Sequence, residues 1–182
     1  MKKMMMTLTA VFCCAMVMSS CSKDDKGNND VPDTTAASAN VDFIIRIDPD
    51  MLQCMDLTAE YMDANGNVQS EKVTSITWMK SLSFTKFPAK LAARLHLAKK
   101  SGVNYAEVSN ATVGAAITRR FSIYNKAGSL LNNATGDEYS FTETWLSGDD
   151  LVKFIEDEGE NFKSLLLEYD AKGKETQGTW ND

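Results

Sequence analysis

The sequence predicts a mainly β domain, built as an antiparallel sandwich or barrel, with one short helix. From Val41 onward, apolar residues recur at every second position in short runs, which is the period of a strand with one buried face. Turn residues separate these runs. The strongest turn signal is Asn65-Gly66, because both residues tolerate the positive φ of a tight hairpin. Short alternating strands separated by turns are typical of antiparallel β proteins.

The alternation assigns one apolar face to each predicted strand. In chain order, the residues on these faces are Phe43, Ile45 and Ile47; Leu57, Ala59 and Tyr61; Leu82 and Phe84; Leu91, Ala93, Leu95 and Leu97; Ile117, Phe121 and Ile123; and Tyr139, Phe141 and Trp145. Turns at 125–128 and 171–174 favour hairpins like the one at 64–67. Pro49 and Pro88 lie at strand boundaries. A two-sheet sandwich and an up-and-down, lipocalin-like barrel both fit this pattern.

One helix is predicted before the last hairpin. Ser147 is its N-cap, and Asp150 follows three residues later, as in a capping box. Three apolar residues then follow at helical spacing, namely Leu151, Phe154 and Ile155. The helix is expected to end near Gly159. Its outer face is acidic, which is typical of a solvated surface.

The first residues have the pattern of a bacterial secretion leader. Lys2 and Lys3 precede an apolar stretch at 4–18, which is shorter than the roughly 20 residues that a membrane-spanning helix needs. Residues 18–21, Met-Ser-Ser-Cys, resemble a lipobox, the motif in which a cysteine is acylated and becomes the first residue of the mature chain. The resemblance implies a signal peptide at 1–20 and a lipid anchor on Cys21.

The residues after the cysteine carry a second resemblance. Ser22, Lys23, Asp24 and Asp25 resemble the lipoprotein export signal of Bacteroidota, a lysine followed by paired acids. The resemblance implies an outer-membrane protein that faces the cell exterior. Several acyl chains on one cysteine would anchor it stably, whereas a single chain is marginal.

Residues 21–40 are expected to form the lipidated cysteine and a flexible tether, and residues 41–182 the folded domain. The tether has almost no large apolar side chain to offset the entropy of ordering it. A flexible coil of this length has a reach of roughly 25 Å. Within it, Asp33-Thr34-Thr35 resembles the O-glycosylation motif of Bacteroidota, which makes Thr34 a candidate attachment site.

Charge and cysteine content exclude several classes of protein. The chain has 19 basic and 25 acidic residues, and without the leader lysines its net charge falls from −6 to −8. Such a domain repels phosphate backbones, so no nucleic-acid partner is expected. Cys54 is the one cysteine beyond the leader and the lipobox, so an intramolecular disulfide is excluded there. A lone cysteine of this kind is most often a small buried apolar residue.

Motifs for catalysis are sparse. The sequence has no Gly-rich phosphate loop, zinc-ligand spacing or nucleophile elbow, and no cofactor or metal is expected. Residues 63–67 resemble the start of a calcium loop, but Val68 and Thr74 stand where that loop needs Gly and Glu. His96, the single histidine, is expected to be exposed on the polar face of its strand.

Two groups of residues suggest a binding role. Trp78, Trp145 and Trp180 are large aromatic surfaces that could stack on sugar rings, although Trp145 also fits the core by extending the face of Tyr139 and Phe141.

Arg119 and Glu143 each share the phase of the apolar residues of their strands. They could form an inward ion pair, or a local bulge could turn each to solvent.

The order of these elements resembles a group of small surface lipoproteins of Bacteroidota. The residues that carry the resemblance are the loop Thr85-Lys86-Phe87-Pro88-Ala89 and the closing turn at 170–173. The resemblance implies an immunoglobulin-like β-sandwich and brings no catalytic motif. The leading function is therefore a non-catalytic binding or accessory module for glycan or protein. A structural or assembly component of the outer envelope is second. A hydrolase is third, and it would need either converging carboxylates in a deep cleft or a Cys54–His96 pair.

Overall fold

The computed structural model describes residues 32–137, 144–178 and 180. It is mainly β, as predicted, with 55% of residues in strands and 16% in helices. The strands are β1 (Ala36–Ile47), β2 (Met55–Met62), β3 (Val68–Lys72), β4 (Thr77–Phe84), β5 (Ala89–Lys99), β6 (Ala111–Val113), β7 (Ala115–Asn125), β8 (Leu130–Asp137), β9 (Thr144–Leu146), β10 (Lys163–Tyr169) and β11 (Glu175–Gln177). The α-helices are α1 (Pro49–Cys54) and α2 (Gly148–Glu158), and short 3₁₀ turns lie at Tyr105–Glu107 and Gly159–Asn161.

The strands form two large antiparallel sheets and one small one. The first sheet has the order β4-β1-β7-β8 and the second the order β11-β10-β5-β2-β3, while β6 pairs with β9. The sheets do not close into a barrel, and the arrangement is consistent with a β-sandwich. The sandwich prediction is thus confirmed, and the barrel alternative is wrong.

The predicted apolar faces meet between the sheets. The core includes Phe43, Ile45 and Ile117 from the first sheet and Leu57, Leu91 and Leu95 from the second, each less than 2% exposed. Across the interface, the ring centroids of Phe121 and Tyr169 lie 5.1 Å apart. Each such side chain contributes about 1.5–3 kcal/mol when fully buried. The period of two therefore identified the core correctly in these strands.

The three predicted hairpin turns are confirmed. Gly66, Gly128 and Gly173 have positive φ values of 83°, 78° and 71°, which glycine adopts without steric penalty. In the first turn, the Asp63 carboxylate accepts the backbone N–H of Asn65 at 2.8 Å. This type of Asx turn fixes the register of the hairpin that it closes.

The predicted helix is present, and a second one was missed. Helix α2 begins after the N-cap Ser147 and ends at Gly159, although the Ser147 hydroxyl contacts the Asp150 carboxylate at 3.4 Å and makes no bond to a backbone N–H. Helix α1 has six residues, with Pro49 at its first position and the Asp48 carboxylate accepting the Asp50 N–H at 3.0 Å. From sequence, Pro49 is expected only to mark a strand boundary. A helix of six residues is too short to show a helical period of apolar residues, so α1 is not predicted.

The first strand begins earlier than the sequence suggests. Strand β1 starts at Ala36, inside the segment expected to be a tether. Ala36 and Ala39 are buried, and the Ala36 N–H donates to the Ala171 carbonyl at 3.0 Å. Alanine and serine side chains can occupy positions in a sheet, but they add little hydrophobicity to the sequence. The start of the folded domain is therefore predicted at Val41, five residues after the start of β1.

The sandwich has two distinct ends. The near end contains Ala36, where β1 starts, and the hairpin turns at 64–67, 125–128 and 171–174. The far end contains α1, α2 and the β6–β9 sheet. Strand β1 runs from one end to the other over about 36 Å at roughly 3.3 Å per residue. Residue 36 therefore lies at the opposite end of the sandwich from α2 and β9.

A polar cluster joins the edges of the two sheets at β3 and β4. The Glu71 carboxylate accepts hydrogen bonds from Tyr61 Oη at 2.9 Å, Trp78 Nε1 at 3.2 Å and Lys80 Nζ at 2.5 Å. The bond from Lys80 holds the pKa of Glu71 below its usual value. Lys80 shares the inward phase of Trp78 on the edge strand β4, and an inward charge on an edge strand disfavours pairing with another chain.

Removing this carboxylate is expected to destabilise the fold. Glu71→Ala leaves the buried Tyr61 hydroxyl and Trp78 indole N–H without their acceptor, so urea denaturation should give a free energy of unfolding lower by about 2–4 kcal/mol. Glu71→Gln keeps an acceptor oxygen and should lose less. The matched control is Glu107→Ala, at an exposed glutamate. An equal loss in the control would contradict this role of Glu71.

Candidate functional site

The structure places the three tryptophans in different surroundings. Trp78 is 8% exposed and packs in the core, with its ring centroid 5.9 Å from that of Tyr61, so it presents no face to a sugar. Trp180 is partly exposed, and the Arg94 guanidinium lies 4.5 Å from its ring centroid. Trp145 is 69% exposed. Of these three side chains, Trp145 is the one that presents its ring to solvent.

The expectation that Trp145 fills the core is wrong. Strand β9 pairs with β6, where Trp145 lies opposite Thr112, and it belongs to neither large sheet. The phase of a strand shows which residues share a face, but it does not show what that face packs against. Tyr139 and Phe141, which were expected to share that face, lie outside the described residues.

Arg119 faces the interior, and Glu175 is an ion-pair partner. Arg119 is 8% exposed, and its guanidinium lies 3.3 Å from the Glu175 carboxylate and 3.5 Å from Tyr169 Oη. Burial raises the pKa of the Tyr169 hydroxyl well above its usual value, so the phenol stays protonated and donates to Glu175 at 3.0 Å. Glu143 lies outside the described residues. Arg119 thus links β7 of one sheet to β10 and β11 of the other.

A charged cluster lies on the outer face of the second sheet. One oxygen of Glu60 is 2.8 Å from Arg94 Nε and 2.9 Å from His96 Nε2. Burial would raise the pKa of Glu60, but hydrogen bonds from His96 and Arg94 outweigh it and hold this pKa below its usual value. His96 has only 20% of its side chain exposed, so the prediction of an exposed histidine is wrong. The reason is that neighbouring strands bring charged partners around it.

The C-terminal residues cover part of this cluster. Trp180 lies on Arg94, and Gly178 packs so closely on Leu166 and Glu168 that a Cβ would not fit there. Contacts with the C-terminal residues and with one another therefore hold the side chains of the cluster in place.

Cys54 and His96 are not brought together. Cys54 belongs to the apolar core, as predicted, and His96 lies on the outer face of β5 with Glu60. Burial raises the pKa of the Cys54 thiol, which disfavours the nucleophilic thiolate. Within the described residues, no group of three or more His, Cys, Asp or Glu side chains is placed to hold a metal ion. The hydrolase prediction thus gains no geometric support from this pair.

Of the N-terminal motifs, the described residues include the candidate O-glycosylation motif at 33–35. Cys21 and the export-signal residues Ser22, Lys23, Asp24 and Asp25 lie outside the described residues. Thr34 is exposed next to Asp33, whose carboxylate accepts the Thr35 N–H at 2.9 Å. In the part of the chain that the structure describes, no helix has the length and apolarity to cross a membrane.

An apolar groove lies at the far end, between β9, α2 and the segment before β10. Its volume is about 430 Å³, and its floor consists of Leu146, Phe154 and Phe162. Charged residues form its rim, namely Asp150, Lys153, Asp157, Glu158 and Lys163. We call this feature the far-end groove. The sequence pattern does not indicate this groove, because the acids of α2 have the spacing of an ordinary solvated helix face.

A second cleft, of about 480 Å³, lies at the near end between the β2–β3 turn and the β4–β5 loop. Lys86 and Lys90 are on its rim, and Lys90 is already paired with Glu168 at 2.9 Å. Each end of the sandwich therefore carries a concave surface.

The chain matches no known protein family, and no curated protein or solved structure was found to be similar to it.

The Glu60 cluster should make the protein sensitive to acid. Because the pKa of Glu60 is lower in the folded protein, its contribution to stability is present above the ordinary pKa of 4.5 and is lost as the pH falls through the lower, folded value. Thermal unfolding between about pH 7 and pH 3 should show a smaller acid-induced fall in Tm for Glu60→Gln than for the wild type. Glu107→Gln is the control. An unchanged acid response in Glu60→Gln would contradict the prediction.

Proposed function

We propose that the protein is a cell-surface lipoprotein whose folded domain acts as a non-catalytic, glycan-binding accessory module. The observation that carries the proposal is Trp145, whose side chain is 69% exposed at the far end. Tryptophan is strongly buried on average in folded proteins, and an exposed indole offers a ligand a large aromatic surface. Stacking against the apolar face of a sugar ring would remove this surface from water.

The strand that carries Trp145 is held by contacts with the rest of the domain, which favours a preorganised binding surface. Strand β9 pairs with β6, whose Ala111 and Val113 are buried in the core. The Thr112 N–H also donates to the Asp50 carboxylate at 2.9 Å, which ties β6 to α1. A ring held on a braced strand loses little freedom when a ligand binds, and less of the binding energy is then spent on ordering.

The position of Trp145 also suits a protein anchored through its N-terminal side. Residue 36 is at the near end, and Trp145 is at the far end. A lipid on Cys21 and a flexible tether would leave the far end free to meet ligands. The assembly alternative has less support from β4, because this edge strand carries the inward Lys80.

The anchor can be tested separately from the ligand. Cys21→Ser should move the protein from the detergent phase to the aqueous phase in Triton X-114 partitioning and abolish incorporation of labelled palmitate, because the acylated thiol is gone. Cys14→Ser, in the apolar stretch of the leader, is the matched control and should change neither result. Detergent partitioning that survives in Cys21→Ser would overturn the lipoprotein assignment.

The glycan site is tested with the full chain on an array of polysaccharides. Trp145→Ala should weaken binding to any recognised glycan by about tenfold or more, since full burial of a large apolar side chain contributes about 1.5–3 kcal/mol and about 1.4 kcal/mol is tenfold in Kd. Trp145→Phe should retain part of the affinity. Met79→Ala is the control, because Met79 is 61% exposed on β4.

Binding that is unchanged in Trp145→Ala, or no binding to any glycan on the array, would rule out Trp145 as a sugar platform. Circular dichroism of each variant would confirm that the β fold is retained. Because Trp145 is mostly exposed, its replacement is not expected to unfold the domain.

A further inference from the structure

The far-end groove has an apolar floor that faces solvent. The rings of Phe154 and Phe162 meet edge to face, with centroids 5.5 Å apart and an angle of 78° between their planes. Leu146 completes the floor, and all three side chains are only partly buried. A concave site with an aromatic floor and a few charged groups at its rim has the general character of a binding pocket.

Two carboxylates on the rim are without partners. Among the described residues, Asp157 and Glu158 make no hydrogen bond or ion pair. Glu156, on the other side of the same helix, is paired with Lys99 at 2.7 Å. Asp157 and Glu158 also occupy the last turn of α2, where the helix dipole is negative and disfavours further negative charge. Stabilisation of the helix therefore does not explain why acidic residues occupy positions 157 and 158.

The two lysines on the rim offset this charge only in part. Lys163 lies with its Nζ 5.3 Å from the centroid of the Phe162 ring, on the β10 side of the groove. Lys153 lies on α2, three residues after Asp150 and four before Asp157, and among the described residues its ammonium forms no ion pair with either acid. Glu158 is left at the C-terminal corner of the helix, and the exposed Glu160 lies just beyond it. This corner of the groove is negative.

We propose that the far-end groove docks a basic, extended segment of a partner protein. An apolar side chain of the segment would lie on Phe154 and Phe162, and a neighbouring lysine or arginine would pair with Asp157 and Glu158. Charge complementarity selects this occupant. A second copy of this chain would bring a net charge of −6 to a negative surface, and an anionic membrane would also be repelled.

The inference goes beyond the proposed glycan site and does not depend on it. Trp145 and Leu146 are consecutive residues of β9, and consecutive side chains of a strand face opposite sides. A sugar on Trp145 and a peptide in the groove would therefore use different surfaces. The two can be tested separately, and Trp145→Ala should leave peptide binding unchanged.

The experiment titrates the full chain with the fluorescently labelled peptide Lys-Gly-Lys-Phe-Lys-Gly-Lys and measures its anisotropy. The double variant Asp157→Asn/Glu158→Gln should bind this peptide about tenfold more weakly. Its Tm should be unchanged or higher, because it removes negative charge from the C-terminal end of α2. A loss of affinity without a loss of stability is a result that unfolding of the helix would not give.

The matched control is Asp149→Asn/Glu156→Gln, which removes the same charge from the same helix away from the groove. It should keep the affinity within about twofold, because neither side chain lines the groove. Replacing Phe in the peptide by Ser should weaken binding to the wild type. The proposal is overturned if both double variants lose affinity equally, if the peptide with Glu in place of Lys binds as well, or if the Ser peptide binds as tightly.

Discussion

Phe121 of one sheet and Tyr169 of the other pack in contact between the two sheets, and the rest of the molecule depends on the apolar interface to which they belong. Cys54, the free cysteine of the described chain, forms no disulfide, so burial of the two inward faces is the main source of stability. The helices at the far end and the small β6–β9 sheet are held in place by the same core, which includes Leu151 and Val113.

Two hydrogen-bonded clusters bring charged groups to the edges of this interface. Glu71 gathers Tyr61, Trp78 and Lys80 on one side, and Arg119 with Tyr169 and Glu175 forms a similar cluster elsewhere. Each cluster connects strands of both sheets. A charge buried without a partner would be strongly destabilising, whereas these groups find partners only in one alignment of the sheets. We interpret both clusters as determinants of alignment more than of net stability.

The local features of the fold could be predicted from sequence, and the contacts between distant residues could not. The alternation in β5, the Asn65-Gly66 turn and helix α2 are each determined by neighbouring residues. Glu175, an ion-pair partner of Arg119, lies in a different sheet and far along the chain, and no local pattern connects the two. The far-end groove was missed for the same reason, since its floor combines residues of β9, α2 and the segment before β10.

The placement of β1 has a mechanical consequence. This strand lies between β4 and β7, and it enters at the near end and runs toward the far end. If the chain is held at its N-terminal side and a ligand pulls on the far end, the load acts along β1. The hydrogen bonds of antiparallel strands lie perpendicular to that direction, so both ladders are sheared together and are not opened one bond at a time. The domain is thus built to resist tension along the axis that joins its two ends.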